Sequence, residues 1–229
     1  MIGAVVLAGG MGKRMNAGIN KQYLQIDNRS VLSYAIESMA QAAEALIVVV
    51  RKGEEDAAKA AIAASGVDDA RVCLVEGGSE RQDSVRNALK AMPEVWEKVL
   101  IHDGARPFVP KAMLARILDV VGEGVGVVPG TAVTDTIKRV DSEGFIVDTP
   151  PRDDLRAAQT PQCFMAKEIL ALHLQMEKSS KLFTDDALLY EEAGKRVRMV
   201  DGDLMARKLT VQADFLWAND MKEKWEAQK

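Results

Sequence analysis

Cysteine and histidine are scarce in this sequence, with two of each among 229 residues. Cys73 and Cys163 have neither paired spacing nor histidine company, which excludes a zinc knuckle and a disulfide framework. They read as reduced thiols of a cytoplasmic protein. Long hydrophobic runs are absent as well: the longest, Ala45 to Val50, is far too short to span a bilayer. Met1 to Leu7 has no positive leading region and runs straight into glycines, unlike a secretory leader. Nor is there an excess of cations. Thirty Lys and Arg stand against 34 Asp and Glu, a net charge of −4, which argues against nucleic acid or a membrane as partner. An anionic ligand therefore needs a local basic cluster. With no repeat, low-complexity segment or proline-rich linker, the length suits a single domain, residues 1–229, with one elaboration.

What is present is an alternation. Ile2–Leu7, Leu46–Val50, Arg71–Val75, Val99–His102 and Gly124–Val128 are apolar runs of strand length. Between them, Val31–Ala43, Glu54–Ala64, Ser79–Ala91 and Lys111–Val121 repeat their apolar residues at helical spacing. Strands buried on both faces and alternating with helices predict an α/β fold: a mostly parallel, Rossmann-like sheet with helices on both faces. Ligands of such sheets bind beyond the carboxyl ends of the strands. Thr131 to Pro151 departs from the pattern, with strand-like residues 136–140 and 144–147 around Asp141-Ser142-Glu143-Gly144. It reads as an inserted β-hairpin arm. A lone hairpin is marginal in water, so a second copy of the chain is its simplest packing partner.

The first strand ends in Ala8-Gly9-Gly10-Met11-Gly12-Lys13-Arg14-Met15. Glycines there let backbone N–H groups approach a phosphate. The loop is neither a dinucleotide fingerprint, since Met15 stands at the third glycine position, nor a nucleoside-triphosphatase loop, since Arg14 follows Gly12-Lys13 where a hydroxyl is required. Yet Lys13, Arg14 and Lys21 crowd one strand end of an acidic protein. Unit charges about 4 Å apart interact by about 4 kcal/mol at an effective dielectric near 20, enough to make triphosphate binding reasonable. Further on, Asp103 directly follows a buried strand, where a cation bridging phosphates would sit. Glu76 to Val85 follows the third strand, and Ser79 or Asp83 could simply cap the next helix. Thr184-Asp185-Asp186 reads first as another cap, with Thr184 a weaker substrate-binding candidate, and His102 as a satisfied buried histidine.

Leu7-Ala8-Gly9-Gly10-x-Gly12-x-Arg14-Met15 with Lys21-Gln22-Tyr23 resembles the sugar-phosphate nucleotidyltransferases. Gly77-Gly78 with Arg81 and Ser84-Val85, His102-Asp103-Gly104-Ala105-Arg106-Pro107, Thr149-Pro150-Pro151-Arg152, Gln159-Thr160-Pro161-Gln162 and Lys208-Leu209-Thr210 narrow the resemblance to its 2-C-methyl-D-erythritol 4-phosphate cytidylyltransferase family. It runs from Ile2 to about Asp214. By this resemblance Ala8, Gly9, Gly10 and Gly12 bind the triphosphate of CTP, while Arg14 and Lys21 stabilise the transition state at the α-phosphate. Gly78, Arg81, Asp83 and Ser84 surround the cytosine, with Asp83 and Ser84 as hydrogen-bonding candidates. Asp103 binds Mg²⁺, and Ala105 and Arg106 organise the site. Arg152 reaches from the arm into the site of a neighbouring subunit, making a homodimer. Thr160 lies near the sugar phosphate, which Lys208 helps to align. Three departures stand out: Asn20 where a proline commonly precedes the lysine, Gly104 in place of alanine, and Met205-Ala206 where polar residues are usual.

The expected enzyme transfers CMP from CTP to 2-C-methyl-D-erythritol 4-phosphate and releases pyrophosphate, in non-mevalonate isoprenoid biosynthesis. No Ser/His/Asp or Cys/His set suggests a covalent intermediate, which fits catalysis by positioning and electrostatics. One rival is the same reaction on ribitol 5-phosphate; another is a non-catalytic nucleotide-binding regulatory protein.

Overall fold

The computed structural model describes residues 1–9, 20–178 and 181–227. Five strands follow the expected apolar runs: β1 (Ile2–Leu7), β4 (Ala45–Val50), β5 (Val72–Glu76), β6 (Lys98–Asp103) and β7 (Val125–Ala132). A short hairpin, β2 (Gln25–Ile26) and β3 (Arg29–Ser30), precedes α1 (Val31–Ala40). The remaining helices are α2 (Glu55–Ser65), α3 (Arg81–Ala91), α4 (Lys111–Val120), α5 (Ala166–Gln175), α6 (Asp186–Glu192) and α7 (Gln212–Glu226). Strands β8 (Arg139–Val140) and β9 (Ile146–Asp148) form the arm, and β10 (Arg156–Ala158), β11 (Gln162–Met165) and β12 (Arg196–Asp201) complete the sheet.

The order across the main sheet is β10-β7-β11-β6-β1-β4-β5, with β12 also paired to β7. Pairing is parallel among β6, β1, β4 and β5 and between β12 and β7, whereas β11 and β10 run antiparallel. The expected mostly parallel sheet is therefore present, with an antiparallel strand wedged between β6 and β7.

Alternation along the strands divides the core. Ala4 and Val6 of β1 and Leu46, Val48 and Val50 of β4 pack beneath α1, α2 and α4. Val5, Leu7, Ile47 and Val49 face α3, α5 and α6. Helices thus cover both faces, as strands apolar on both sides require. A third cluster joins Tyr34, Phe108 and Trp225, which ties α7 to α1 and to the loop after β6. The sheet order reverses at β1, whose neighbours are β6 and β4, and such a switch point opens a crevice beyond the strand ends.

The arm differs from its expected bounds. Thr131 and Ala132 still belong to β7 and pair with β10, because that strand has a partner to extend along. The paired part of the hairpin is only β8 and β9, in a sheet of their own. Its turn is closed by Asp141, whose Oδ1 accepts from the Glu143 and Phe145 N–H groups, and by Gly144 at a φ of 91°. Helix α3 starts at Arg81, two residues after the expected Ser79, and α1 ends at Ala40 instead of Ala43. Cys73 is exposed on β5, while burial pushes the Cys163 thiol up to about 12. Among the described residues no helix is long and apolar enough to cross a membrane.

Candidate active site

A cleft of about 800 Å³ lies beyond the carboxyl ends of β1, β4, β5 and β6. Each strand contributes where it stops: Gly9 after β1, Arg51 and Lys52 after β4, Gly78 after β5, and Asp103 with Ala105 from β6. Lys21, Arg81, Ser84 and Lys208 also face it. Gly10, Gly12 and Arg14 of the glycine loop lie outside the described residues. Ala8 is fully buried, and its N–H donates to the Val49 carbonyl, fixing the entry to the loop.

Lys21 opens a single 3₁₀ turn, Lys21–Tyr23. Asn20 before it holds a φ of −62°, the value a proline would impose. Its amide Nδ2 donates to the Ala8 carbonyl at 2.9 Å and to Glu54 Oε2 at 3.3 Å. The departure at position 20 therefore keeps the backbone geometry and replaces ring stiffness with a clamp.

Asp103 is the electrostatic centre. Lys208 Nζ donates to its Oδ2 at 2.7 Å, although 105 residues separate the two. Arg81 Nε stands 3.8 Å from Oδ1, and Arg106 Nε stands 3.9 Å from Oδ2. Burial alone would raise the carboxyl pKa, but the Lys208, Arg81 and Arg106 charges hold it well below the usual carboxylate range. The site is thus a permanent anion ringed by cations.

The backbone of this centre is braced from behind. Thr160 Oγ1 accepts from the Asp103 N–H at 3.0 Å and lies 3.1 Å from His102 Nδ1. His102 Nε2 lies 2.9 Å from the Arg106 carbonyl, a network that fits a neutral ring with Nε2 protonated. Burial pushes the His102 imidazole down to about 4, so it is the satisfied core histidine that the sequence suggested. Thr160 is itself buried, so its hydroxyl supports Asp103 and is not among the groups lining the cleft, where the sequence placed it near a phosphate.

Residues 202–210 bring Lys208 in. Gln159 clamps the backbone of Asp203, donating to its carbonyl at 2.8 Å and accepting from its N–H at 3.0 Å. Arg106 Nη1 donates to the Ala206 carbonyl at 2.8 Å, and Leu209 N–H donates to Ala105. Asp214, buried at the start of α7, accepts from Thr210 and pairs with Arg207 at 2.7 Å. The Ala206 methyl is fully buried in the core. No polar side chain is needed at 206 to hold this segment, because its backbone carbonyl ties it to Arg106 while Lys208 itself bonds Asp103.

The loop after β5 holds one correction. Asp83 does not line the cleft: its carboxylate accepts from Ser79 Oγ at 2.8 Å, the Glu80 N–H at 3.2 Å and Arg86 at 2.6 Å. It locks the first turn of α3, whose N-cap is Glu80, and its oxygens are committed there instead of to a base. Ser84 does face the cleft, and its Oγ accepts from the Gly78 N–H at 3.0 Å. A Cβ at Gly78 would fall 2.3 Å from Asp83 Cβ, so only glycine allows loop and helix to close. A Cβ at Gly104 would lie 2.8 Å from the Leu7 carbonyl, which makes glycine the fitting residue beside β1.

Arg152 stands apart. It donates to the Thr134 carbonyl at 3.1 Å in a separate groove with Ala132 and Arg156, away from the cleft of its own chain. Sequence reasoning overlooked Arg51 and Lys52, which add positive charge to the cleft, and the buried pair of Asp186 with Arg81. The only sequence signal for that pair was Thr184-Asp185-Asp186, where Asp185 is indeed the cap, accepting from the Leu188 N–H.

Comparison with known proteins finds one family over nearly the whole chain. The family model described as IspD, 2-C-methyl-D-erythritol 4-phosphate cytidylyltransferase, matches residues 2–223. The protein of that name from Shouchella clausii is 39% identical over 227 residues, 98% of each chain. The one from Clostridium botulinum (strain 657) is 38% identical over 224 residues, 96% of each. Among solved structures, 4-diphosphocytidyl-2C-methyl-D-erythritol synthase from Anaerococcus prevotii superposes with a TM-score of 0.83 at 29% identity, covering 97% of this chain and 96% of that one. The 2-C-methyl-D-erythritol 4-phosphate cytidylyltransferase from Thermus thermophilus gives 0.77 at 28%, covering 96% and 98%. These matches span nearly the whole chain, and the chain belongs to the 2-C-methyl-D-erythritol 4-phosphate cytidylyltransferase family.

Proposed function

We infer that the protein transfers CMP from CTP to 2-C-methyl-D-erythritol 4-phosphate and releases pyrophosphate, a step of isoprenoid precursor biosynthesis. The observation that carries this reading is the meeting of Asp103, Lys208 and Arg81 in a cleft that also holds Lys21 and the Gly78 loop, with Arg106 beside Asp103. A phosphate oxygen of the sugar phosphate attacks the α-phosphorus of CTP in line. The bond from that phosphorus to the bridging oxygen breaks, and pyrophosphate departs with the electron pair. The nucleophile is already ionised near neutrality, so no general base is required. Lys21 and Arg14 bind the charge that develops on the transferring phosphate, and Lys208 aligns the incoming one. Ala8, Gly9, Gly10 and Gly12 wrap the triphosphate, and Gly78, Ser84 and Arg81 face the nucleoside.

Mg²⁺ fits at Asp103. Among the described residues no set of three or more His, Cys, Asp or Glu side chains forms a ready cage. Magnesium often takes only one or two carboxylates and completes its shell with substrate phosphates and water. A fully ionised Asp103 facing the cleft suits that pattern. Bound there, the ion would neutralise triphosphate oxygens.

The rest of the reading follows the chain's form. Residues 1–229 act as a single cytoplasmic domain, with an arm inside 131–151 built on the β8–β9 hairpin. Two copies assemble through exposed apolar residues of the arm, and Arg152, remote from its own cleft, positions the sugar phosphate in the partner's. The test measures pyrophosphate release from CTP with methylerythritol phosphate and with ribitol 5-phosphate in parallel. Release that depends on methylerythritol phosphate supports the assignment. Preference for ribitol 5-phosphate would transfer it to the rival substrate, and no release with either would mark a nucleotide-binding protein.

A further inference from the structure

Arg81 occupies the first turn of α3, where a cation meets the positive end of the helix dipole. Something outside the helix must keep its charge there, and three elements converge to do so. Asp186, 1% exposed, lies 2.8 Å from Arg81 Nη1. Behind it, His173 of α5 donates from Nε2 to Asp186 Oδ1 at 3.1 Å. Gln162 of β11 accepts from the Asp186 and Ala187 N–H groups at 3.1 Å each. Gln82, next to Arg81, bonds the same returning segment, accepting from the Phe183 N–H and donating to the Lys181 carbonyl.

We propose that Asp186 is a positioning residue for nucleotide binding: its buried carboxylate, steadied by His173 and Gln162, fixes where the Arg81 guanidinium stands in the cleft. Arg81 has two carboxylates within reach. Asp186 holds it at 2.8 Å, whereas Asp103 stands at 3.8 Å. The closer contact keeps the guanidinium from collapsing onto Asp103. One end of Arg81 is thereby anchored in the core while 29% of its side chain remains open to the cleft. A buried carboxylate is costly unless paired, so its placement behind a cleft arginine serves orientation more than stability. Asp186 touches no substrate in this scheme and acts only through Arg81. The inference rests on the cytidylyltransferase reading for its activity readout but not for its structural one.

The test is a double-mutant cycle of Asp186→Asn and Arg81→Gln, with thermal unfolding to verify folding and His173→Gln as a gentler way to loosen the carboxylate. Asp186→Asn should raise KM for CTP about 10-fold while changing kcat less than about 3-fold, the pattern of lost binding energy. In the Arg81→Gln background the same change should move KM less than about 2-fold, because the residues act as one unit. His173→Gln should shift KM in the same direction by a smaller factor. A full effect of Asp186→Asn in the absence of Arg81, or an unchanged KM in the folded single variant, overturns the proposal. Should the wild type turn over neither sugar phosphate, the cytidylyltransferase reading fails by itself. Positioning is then read from the Arg81 Nε–H nuclear magnetic resonance signal, assigned with Arg81→Gln. That signal should move in Asp186→Asn, and an unmoved signal overturns the inference.

Discussion

The end of β6 and the tip of the arm both place polar and charged side chains beyond the sheet, yet they find partners in opposite ways. Around Asp103, each cation comes from elsewhere in the same chain, and each backbone segment is tied by its neighbours: Thr160 to Asp103, Arg106 to Ala206, Gln159 to Asp203. On the arm, Phe145, Ile146 and Val147 are 67%, 61% and 57% exposed, and β8 and β9 pair only with each other. Among the described residues, the contacts around Asp103 all lie within a single chain. The arm offers apolar surface of the kind that marks a contact face. The difference separates what one folded chain can hold by itself from what it leaves for a second copy.

The cleft side of this contrast gives the largest expected effects. Lys21→Ala and Lys208→Ala should each lower turnover about 10²-fold or more, the scale for losing one charge that stabilises a transition state. Both should fold normally, since each lysine serves a cleft and not the core. Wild-type turnover in either folded variant would remove that lysine from the reaction. Arg14→Ala should behave alike.

The arm side is tested by complementation. A purified mixed dimer with Arg152→Ala in one chain and Lys208→Ala in the other gathers both defects into one site if Arg152 acts across the interface. Such a dimer should recover about half of wild-type turnover, because misplacing a reactant commonly costs on the order of 10²-fold. If Arg152 serves its own chain, both sites stay defective. Deleting residues 135–147 should give monomers of little activity by sedimentation, and a fully active monomer would contradict the arm's role.

Asp103→Asn sharpens the cleft side further. An amide oxygen is a poorer ligand for a hard cation, so the magnesium titration of activity should shift to higher concentration. A titration superimposable on wild type would reject Asp103 as the ligand.

The smallest effect concerns stability. His102 ordinarily titrates near 6.5 and is pushed down to about 4 by burial. The folded state therefore binds fewer protons than the unfolded one across that window, and stability falls as pH drops from about 6.5 towards 4. The loss should reach about 3 kcal/mol, and His102→Asn should flatten that part of a plot of melting temperature against pH. Equal slopes for the two proteins would show that His102 charges without penalty.

The two regions also differ in how far the sequence revealed them. The strand ends of the cleft were readable because buried runs stop at glycines and at Asp103, a local pattern. The partners were not. Lys208 reaches Asp103, and Asp186 reaches Arg81, across about a hundred residues, and no periodicity encodes which cation meets which carboxylate. Asp83 misled for a related reason. A carboxylate at the start of a helix serves a cap or a ligand equally well by its spacing, and only the contacts of Ser79, Glu80 and Arg86 decide between them. The arm was legible as an interruption, but its strands are shorter than the alternation suggested, since exposed β-branched residues without a neighbouring strand gain nothing from extending.

The Arg106 contact to the Ala206 carbonyl has a consequence for how this chain can drift over generations. Every amino acid presents the same carbonyl, so the bond survives any replacement at 206 that fits the space around a buried methyl. The burden of identity passes to Arg106, whose guanidinium no other side chain reproduces. Relatives with another small residue at that position can thus share one lysine placement while differing in the letter that precedes it by two.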